Sequence, residues 1–545
     1  IGSTSIKINV DPSQPCFVPV QQVPQQIKDD KILLQHLKWI AQKDNLGQDM
    51  FLIGHAGPIK RNIIKIWANL CRREIEYVSI TRDTSEHDLK QRREISGGNA
   101  YYVDQAAVKA ALNGRVLVLD GIEKAERNVL PLLNGLLEAR ELALEDGRFL
   151  ISHKRFSDLQ KSKDETTQRL IADGKLVPVH PDFRVIAIGL PVSLYGGLPL
   201  DPPLRSRFQA REIQNPDTES ILSQLPPFDL PEKVLSSIIS FAQAISSLED
   251  NEDDSELREK VFPPFPVSNV ISLLSLLNLK MLTSESLRDL VWASYPLQHL
   301  LKPKTEDNEK SVLMEVLTNE VEKLVTTVSD ALNLPKKHSE KLSVIQSSDF
   351  VPLPTHKKVV HNMLLSLLSQ RDVCLIGQKG SGKSIIARQV ATSLEQLVDY
   401  FPLYKEMTSR DLVMRRTTDS EGNTQWQESP LIRSIVEGHV CILDGIDRLS
   451  DDILISLSSL MHERSLHTID GARYIKDTEY DALASKYGES YLDKHRIKRV
   501  HPNFRIIGLS LPPTEQSNQD KKAWFSAETM NMMHFHTMPN LPREE

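Results

Sequence analysis

Residues Val373 to Ser384 read VCLIGQKGSGKS. Four apolar residues suited to a buried strand enter a glycine-rich turn, and a helical stretch follows it. The spacing satisfies G-x-x-x-x-G-K-[ST] in the strand-turn-helix setting that this pattern requires. Glycines allow the backbone to approach phosphate oxygens and aim successive N–H groups at them, while the helix contributes its positive end. The stretch Gly377, Gln378, Lys379, Gly380, Ser381 and Gly382 is therefore expected to cradle the phosphates of ATP. Lys383 is expected to reach the β- and γ-phosphates, and the Ser384 hydroxyl to take a place on Mg²⁺. A GTP reading ranks lower, because no NKxD-type base-recognition motif occurs.

Further along, the apolar run Val440 to Leu443 ends in Asp444, placed like the carboxylate that holds the magnesium shell opposite a phosphate loop. The plain alternative is a strand-end Asp-Gly turn. A water-orienting glutamate is usual directly after this aspartate, and here the residue is Gly445. Asp447 is a candidate substitute, its bland reading being a helix cap or surface acid.

The same pattern occurs earlier at an offset of roughly 320 residues. DLKQRREISGGN from Asp88 matches DLVMRRTTDSEGN from Asp411, VLVLDGIEKA from Val116 matches VCILDGIDRL from Val440, and HPDFRVIAIGLP from His180 matches HPNFRIIGLSLP from His501. A repeat of this length is a duplicated domain. Each copy opens with an apolar strand (Met50 to Ile53, Val373 to Ile376), continues to a hairpin turning at Gly97-Gly98-Asn99 or Gly422-Asn423, and reaches a strand ending in Asp120 or Asp444. Continuous apolar strands alternating with helices predict a parallel sheet covered on both faces.

The first copy carries a degraded loop, GHAGPIKR, that keeps Gly54 and Lys60 but has Ile59 for the second glycine and Arg61 for the hydroxyl residue. A β-branched side chain obstructs close backbone approach, and a guanidinium cannot ligate magnesium. Weak, metal-poor binding and an empty site are both open for this site of Gly54, Lys60 and Asp120. Gly121 and Glu123 repeat the arrangement of Gly445 and Asp447.

LDPPLRSRFQAREI closes the first core and offers Arg205 and Arg207 as arginine fingers for a neighbour's site. Their counterparts, aligned through Phe208 and Phe535, are Met532 and His534, so the second copy has no finger; its His/Met cluster reads as a packed segment. The polar sensor position falls on Leu190 and Leu511, with Ser510 one step away, and a cis-acting arginine is sought at Asn269 or the distant Arg288.

The resulting division is a first core over 1–213, a helical lid over 214–300, a helical connector over 301–349 and a second core over 350–545. The acidic run Glu249 to Glu256 reads as a solvated loop, and Leu313 to Leu332 as an amphipathic connector helix. The chain opens on Ile1 and stops at Glu545, so the native amino terminus and a second lid are expected to lie outside it.

With a formal charge of −7, the chain has no net attraction to nucleic acid or anionic membrane, which leaves protein partners as the default. Four cysteines without C-x-x-C spacing point to a reducing compartment and no structural metal. No apolar run approaches the roughly 18 residues of a membrane-spanning helix.

The order strand, phosphate loop, hairpin insertion, LDGI and HP(D/N)FR resembles the MoxR, midasin and dynein branch of AAA+ proteins. In finer detail GQDMFLIG, DLKQRREI, LDGIEKAERNVLPLLNGLLEARELALEDGRFL and LDPPLRSRFQAR are similar to the amino-terminal half of the AAA+ family whose full-length members add a von Willebrand factor A domain. The resemblance implies tandem α/β P-loop NTPase modules with an all-helical lid, ATP and Mg²⁺ as ligands, and a mitochondrial, matrix-side ATPase. Self-association or association with further AAA+ modules is implied as well. No DxSxS metal-adhesion motif occurs in these residues, so partner binding through that domain does not carry over. Two functions are expected: an ATPase whose hydrolysis moves modules within a ring or pseudo-ring, or a nucleotide-responsive scaffold with little turnover.

Overall fold

The computed structural model describes all residues except 1–3, 6–7, 11, 21–29, 162–163, 196, 215–229, 248–264, 279–281, 297–298, 300–307, 336–349, 352, 514–524 and 540–545. The acidic run Glu249 to Glu256 lies outside the described residues. Two compact units form, one from Ile1–Gln224, Thr408–Ser429 and Glu463–Arg499, the other from Leu225–Met407, Pro430–His462 and Val500–Glu545.

Each unit contains a five-stranded sheet. The first runs in the order Gln209–Ile213, Met50–Gly54, Arg184–Gly189, Val116–Asp120 and Ile75–Ser79, with every neighbouring pair parallel. The second repeats it as His534–Thr537, Val373–Ile376, Arg505–Ser510, Val440–Asp444 and Val398–Pro402, again all parallel. Strand periodicity explains why these runs are apolar throughout: alternate residues face opposite sides and both sides are covered. Met50, Leu52, Val116, Val118, Ile186 and Ile188 pack with helices Lys31–Asn45 and Ile59–Cys71 on one face. Phe51, Leu117, Leu119, Val185 and Ala187 pack with helices Ala106–Asn113 and Pro131–Glu138 on the other. At about 1.5–3 kcal/mol per large apolar side chain, these two layers dominate the stability of the unit. The second sheet buries Val373, Leu375, Val440, Ile442, Ile507 and Leu509 against helices Pro354–Leu368 and Lys383–Ser393.

The repeated HP(D/N)F motif has a structural cause. His180 Nδ1 accepts from the Asp182 N–H at 3.1 Å, and His501 Nδ1 accepts from Asn503 at the same distance. Each ring lies against a glycine that ends the preceding helix at positive φ, Gly114 at +70° and Gly438 at +79°; a Cβ there would come within 2.2 and 2.1 Å of the ring nitrogen. The repeated Asp-Leu pair is likewise explained by helix starts. Ser85 with Asp88 and Thr408 with Asp411 form capping boxes ahead of the two hairpins.

The hairpins are Gln91–Ser96 with Asn99–Asp104, turning through Gly97 and Gly98 at φ +57° and +76°, and Met414–Thr418 with Thr424–Glu428. Both belong to the first unit. There the Gly97 N–H donates to Asn423 Oδ1 at 2.7 Å, and the Arg92 guanidinium lies 4.5 Å from the Trp426 ring centroid.

In the second unit, helices Glu232–Ser247, Val267–Asn278, Ser284–Ser294 and Asn308–Leu332 fold together with the second sheet. Arg371 donates to Asn269 Oδ1 at 2.6 Å, and Lys358 lies 2.9 Å from both Glu285 and Asp289. His534 contacts the hydroxyls of Ser272 and Ser366, and His536 contacts that of Ser366. Burial drives both imidazoles to the neutral form, His536 to a pKa of about 3.

Candidate nucleotide-binding site

The phosphate loop leaves the carboxyl end of strand Val373–Ile376, the edge at which parallel α/β sheets bind ligands. Gly377 passes close to its surroundings, where a Cβ would lie 2.8 Å from Met538 Cβ and 2.8 Å from Ser381 Oγ. By contrast Gly380 and Gly382, at φ +81° and +84°, face open space where a Cβ would meet nothing within 4 Å. That contrast describes a loop packed at its base and open where an anion would lie. Helix Lys383–Ser393 begins immediately after Gly382, so its first N–H groups have no acceptor within the helix.

Lys383 Nζ donates to the carbonyls of Gly377 and Gln378 at 2.7 and 2.8 Å, at the base of the loop. Burial lowers its pKa, opposed by the carboxylates of Asp444 and Asp447. Ser384 and Asp444 both meet the phenol of Tyr400, which donates to Asp444 Oδ2 and receives the Ser384 hydroxyl. Burial, followed by the bond to Asp444, raises the Tyr400 pKa. A polyphosphate with a divalent cation fits this donor set: one ammonium, free helix N–H groups, and hydroxyl and carboxylate oxygens converging at the strand ends.

Gly445 has φ +86°, and a Cβ there would come within 2.9 Å of Arg448 Nε; Gly121 also has φ +86°, with Ile80 O at 3.0 Å. A glutamate at either position would be strained by the positive φ, and at Gly121 it would also crowd the Ile80 carbonyl. Asp447 Oδ1 accepts from the Leu511 N–H at 3.1 Å, tying the sensor position to the turn after Asp444. Ser510 is buried; its hydroxyl donates to Leu511 O at 2.8 Å and its carbonyl accepts from Gly377 N at 3.2 Å. Arg205 is exposed at the end of helix Pro202–Arg205, whereas Arg207 bonds Glu138 and the Pro203 carbonyl. Of the two, Arg205 is the one whose guanidinium is open to solvent. Arg288 pairs with Glu322 at 2.6 Å, and Asn269 is enclosed.

Tyr400 and its counterpart Tyr77, which donates to Asp120 Oδ2, are site residues that motif reading passes over. The signal was present in the sequence, since IEYVS and VDYFP place a tyrosine at the same point of the second strand in each copy.

Comparison with known proteins decides the family. The model of the AAA domain, dynein-related subfamily, matches twice, over residues 49–208 and 372–526. The chain belongs to the dynein-related subfamily of AAA-domain proteins. Each matched stretch contains four of the five strands of one sheet, and members of this family are typically nucleotide-binding ATPases. The chain is 38% identical to mouse von Willebrand factor A domain-containing protein 8 over 576 aligned residues, covering 100% of this chain and 29% of that protein. It is 29% identical over 134 residues to protein NorQ of Paracoccus denitrificans, covering 24% of this chain and 48% of NorQ. Denitrification regulatory protein NirQ of Stutzerimonas stutzeri is also 29% identical over 152 residues, with 27% and 54% covered. The chain thus spans under a third of the mouse relative's length. Among the described residues, no helix is long and apolar enough to cross a membrane.

Proposed function

We propose that the second AAA module binds Mg-ATP through Gly377 to Ser384 and Asp444 and hydrolyses it, and that this cycle performs conformational work within an oligomeric ring or pseudo-ring. One observation carries the reading: the open φ-positive turn at Gly380 and Gly382, closed at its base by Lys383 on two loop carbonyls. When bound, Mg²⁺ would supply charge neutralisation at the β- and γ-phosphates. Lys383 exchanges two carbonyls for phosphate oxygens, Ser384 and Asp444 offer oxygens to the metal shell, and Tyr400 steadies Asp444 beforehand. Arg205, exposed at a helix end, is proposed to act on a site of another subunit or module. A mitochondrial, matrix-side location and assembly with further AAA+ sequence, which the family resemblance of the sequence implies, belong to the same proposal.

The test is turnover and ATP affinity of the full-length assembly with and without Lys383→Ala. Wild-type turnover indistinguishable from that of the variant would sink hydrolysis at this module. A second reading, a scaffold that binds ATP with little turnover, is favoured by Gly445, which stands where a glutamate is usual and whose positive φ disfavours one. It predicts ATP binding that Lys383→Ala abolishes, without phosphate release. Unchanged turnover in assembled Arg205→Ala protein would remove the finger assignment.

A further inference from the structure

The loop of the first AAA module keeps its lysine in the pose of its counterpart. Lys60 Nζ donates to Gly54 O at 2.7 Å and to His55 O, as Lys383 does to Gly377 and Gln378. One residue later the two modules part. Where Ser384 offers a hydroxyl, Arg61 inserts a guanidinium whose Nη1 lies 3.0 Å from Asp120 Oδ2. Its Nε lies 2.7 Å from Glu463 Oε1, and the second oxygen of Glu463 is bonded by Lys65, one helical turn beyond Arg61.

Glu463 belongs in sequence to the second module, yet the segment Glu463–Arg499 folds within the first compact unit. The groups form an alternating row, carboxylate, guanidinium, carboxylate, ammonium, with Arg61 7% and Glu463 9% exposed. Such a row is neutral as a whole, and each buried charge has an opposite charge beside it.

We propose that the first module's nucleotide site is occupied in cis, with Arg61 neutralising Asp120 in place of a magnesium ion and Glu463 supplying the anion in place of a phosphate. The site then takes no nucleotide and fastens segment Glu463–Arg499 to the first core. Of the two substitutions that alter the loop, Arg61 is the one that makes this joint. Ile59 closes the close approach to phosphate, and Arg61 replaces the metal ligand with a permanent cation that shares Glu463 with Lys65. The joint does not depend on hydrolysis at the second module.

Two measurements test it on the whole chain. In calorimetric titration with Mg-ATP, one nucleotide per chain is expected, lost in Lys383→Ala and retained in Lys60→Ala. Two nucleotides, or binding that survives Lys383→Ala and disappears with Lys60→Ala, would overturn the proposal. The second is a thermal double-mutant cycle with Arg61→Met, Glu463→Met and the pair. Either single change leaves the row with one uncompensated charge, whereas the double change leaves Asp120 and Lys65 and no net charge, so the double variant is expected to melt no lower than the less stable single. Simply additive losses would overturn the joint, whatever the titration reads. A wild type that binds no ATP while the cycle shows coupling would refute the proposed function and leave this inference standing.

Discussion

Tyr400 donates its phenolic hydrogen to Oδ2 of Asp444, the carboxylate at the end of the strand facing the phosphate loop. The bond fixes Asp444 while occupying an oxygen lone pair that a metal-bound water would use. Tyr400→Phe is therefore expected to lower the Mg²⁺ concentration at half-maximal ATP binding by roughly 3- to 10-fold, the net size of one ordinary intramolecular hydrogen bond. A Mg²⁺ titration of fluorescent ATP binding at fixed nucleotide would show it. A shift in the opposite direction would assign Tyr400 to supporting the metal shell.

Asp447 holds the Leu511 N–H, and asparagine retains an oxygen for that bond. Asp447→Asn is expected to keep the melting temperature, the ATP affinity and the turnover. Asp447→Ala leaves the amide without its acceptor and should lose about 1–3 kcal/mol of stability. Turnover reduced about 100-fold in Asp447→Asn at unchanged melting temperature would instead make it the residue that orients water.

Gly438 ends a helix at φ +79° with its missing Cβ pointed at the His501 ring. Gly438→Ala combines left-handed backbone strain with overlap on a buried turn, for a loss of about 2 kcal/mol or more. Scanning calorimetry should record a drop of roughly 4–8 °C in the second unit's transition. A neutral outcome would mean that the strand following His501 shifts freely, contrary to its central place in the sheet.

His536 is neutral in the fold, with burial holding its pKa at about 3, and ordinary in the unfolded chain. Its folded pKa is depressed, so the unfolded state binds the extra proton. The contribution is complete above about pH 6.5 and is lost progressively as the pH falls toward 3, at up to about 1.4 kcal/mol per pH unit. His534, lowered further by burial and by Arg371, adds to the slope. Melting temperatures between pH 7 and 5 should fall, and His536→Gln, which can keep a bond to Ser366, should flatten that fall. An unchanged slope would place the responsible protons elsewhere.

Much of this was legible in the sequence because the signals are local. A phosphate loop is defined by residues within one turn, and strand runs such as Val440 to Leu443 announce burial on both faces by being apolar throughout. The duplicated register located Asp120 and Asp444, and the substitutions at Ile59 and Arg61 marked the first loop as altered. Nothing local distinguishes a tyrosine that packs in a strand from one that bonds a site carboxylate, and Tyr77 and Tyr400 became visible only with strand pairing.

What the sequence by itself determined is the pair of α/β modules, the intact loop motif at Gly377 to Ser384 and the altered residues of its twin at Gly54 to Arg61. Tertiary structure alone decided what Arg61 meets. Glu463 is some 400 residues from Arg61 along the chain, and no periodicity or spacing links them. Their pairing depends on the fold carrying Glu463–Arg499 into the first unit, where a buried guanidinium requires an anion and a carboxylate from the other module provides it.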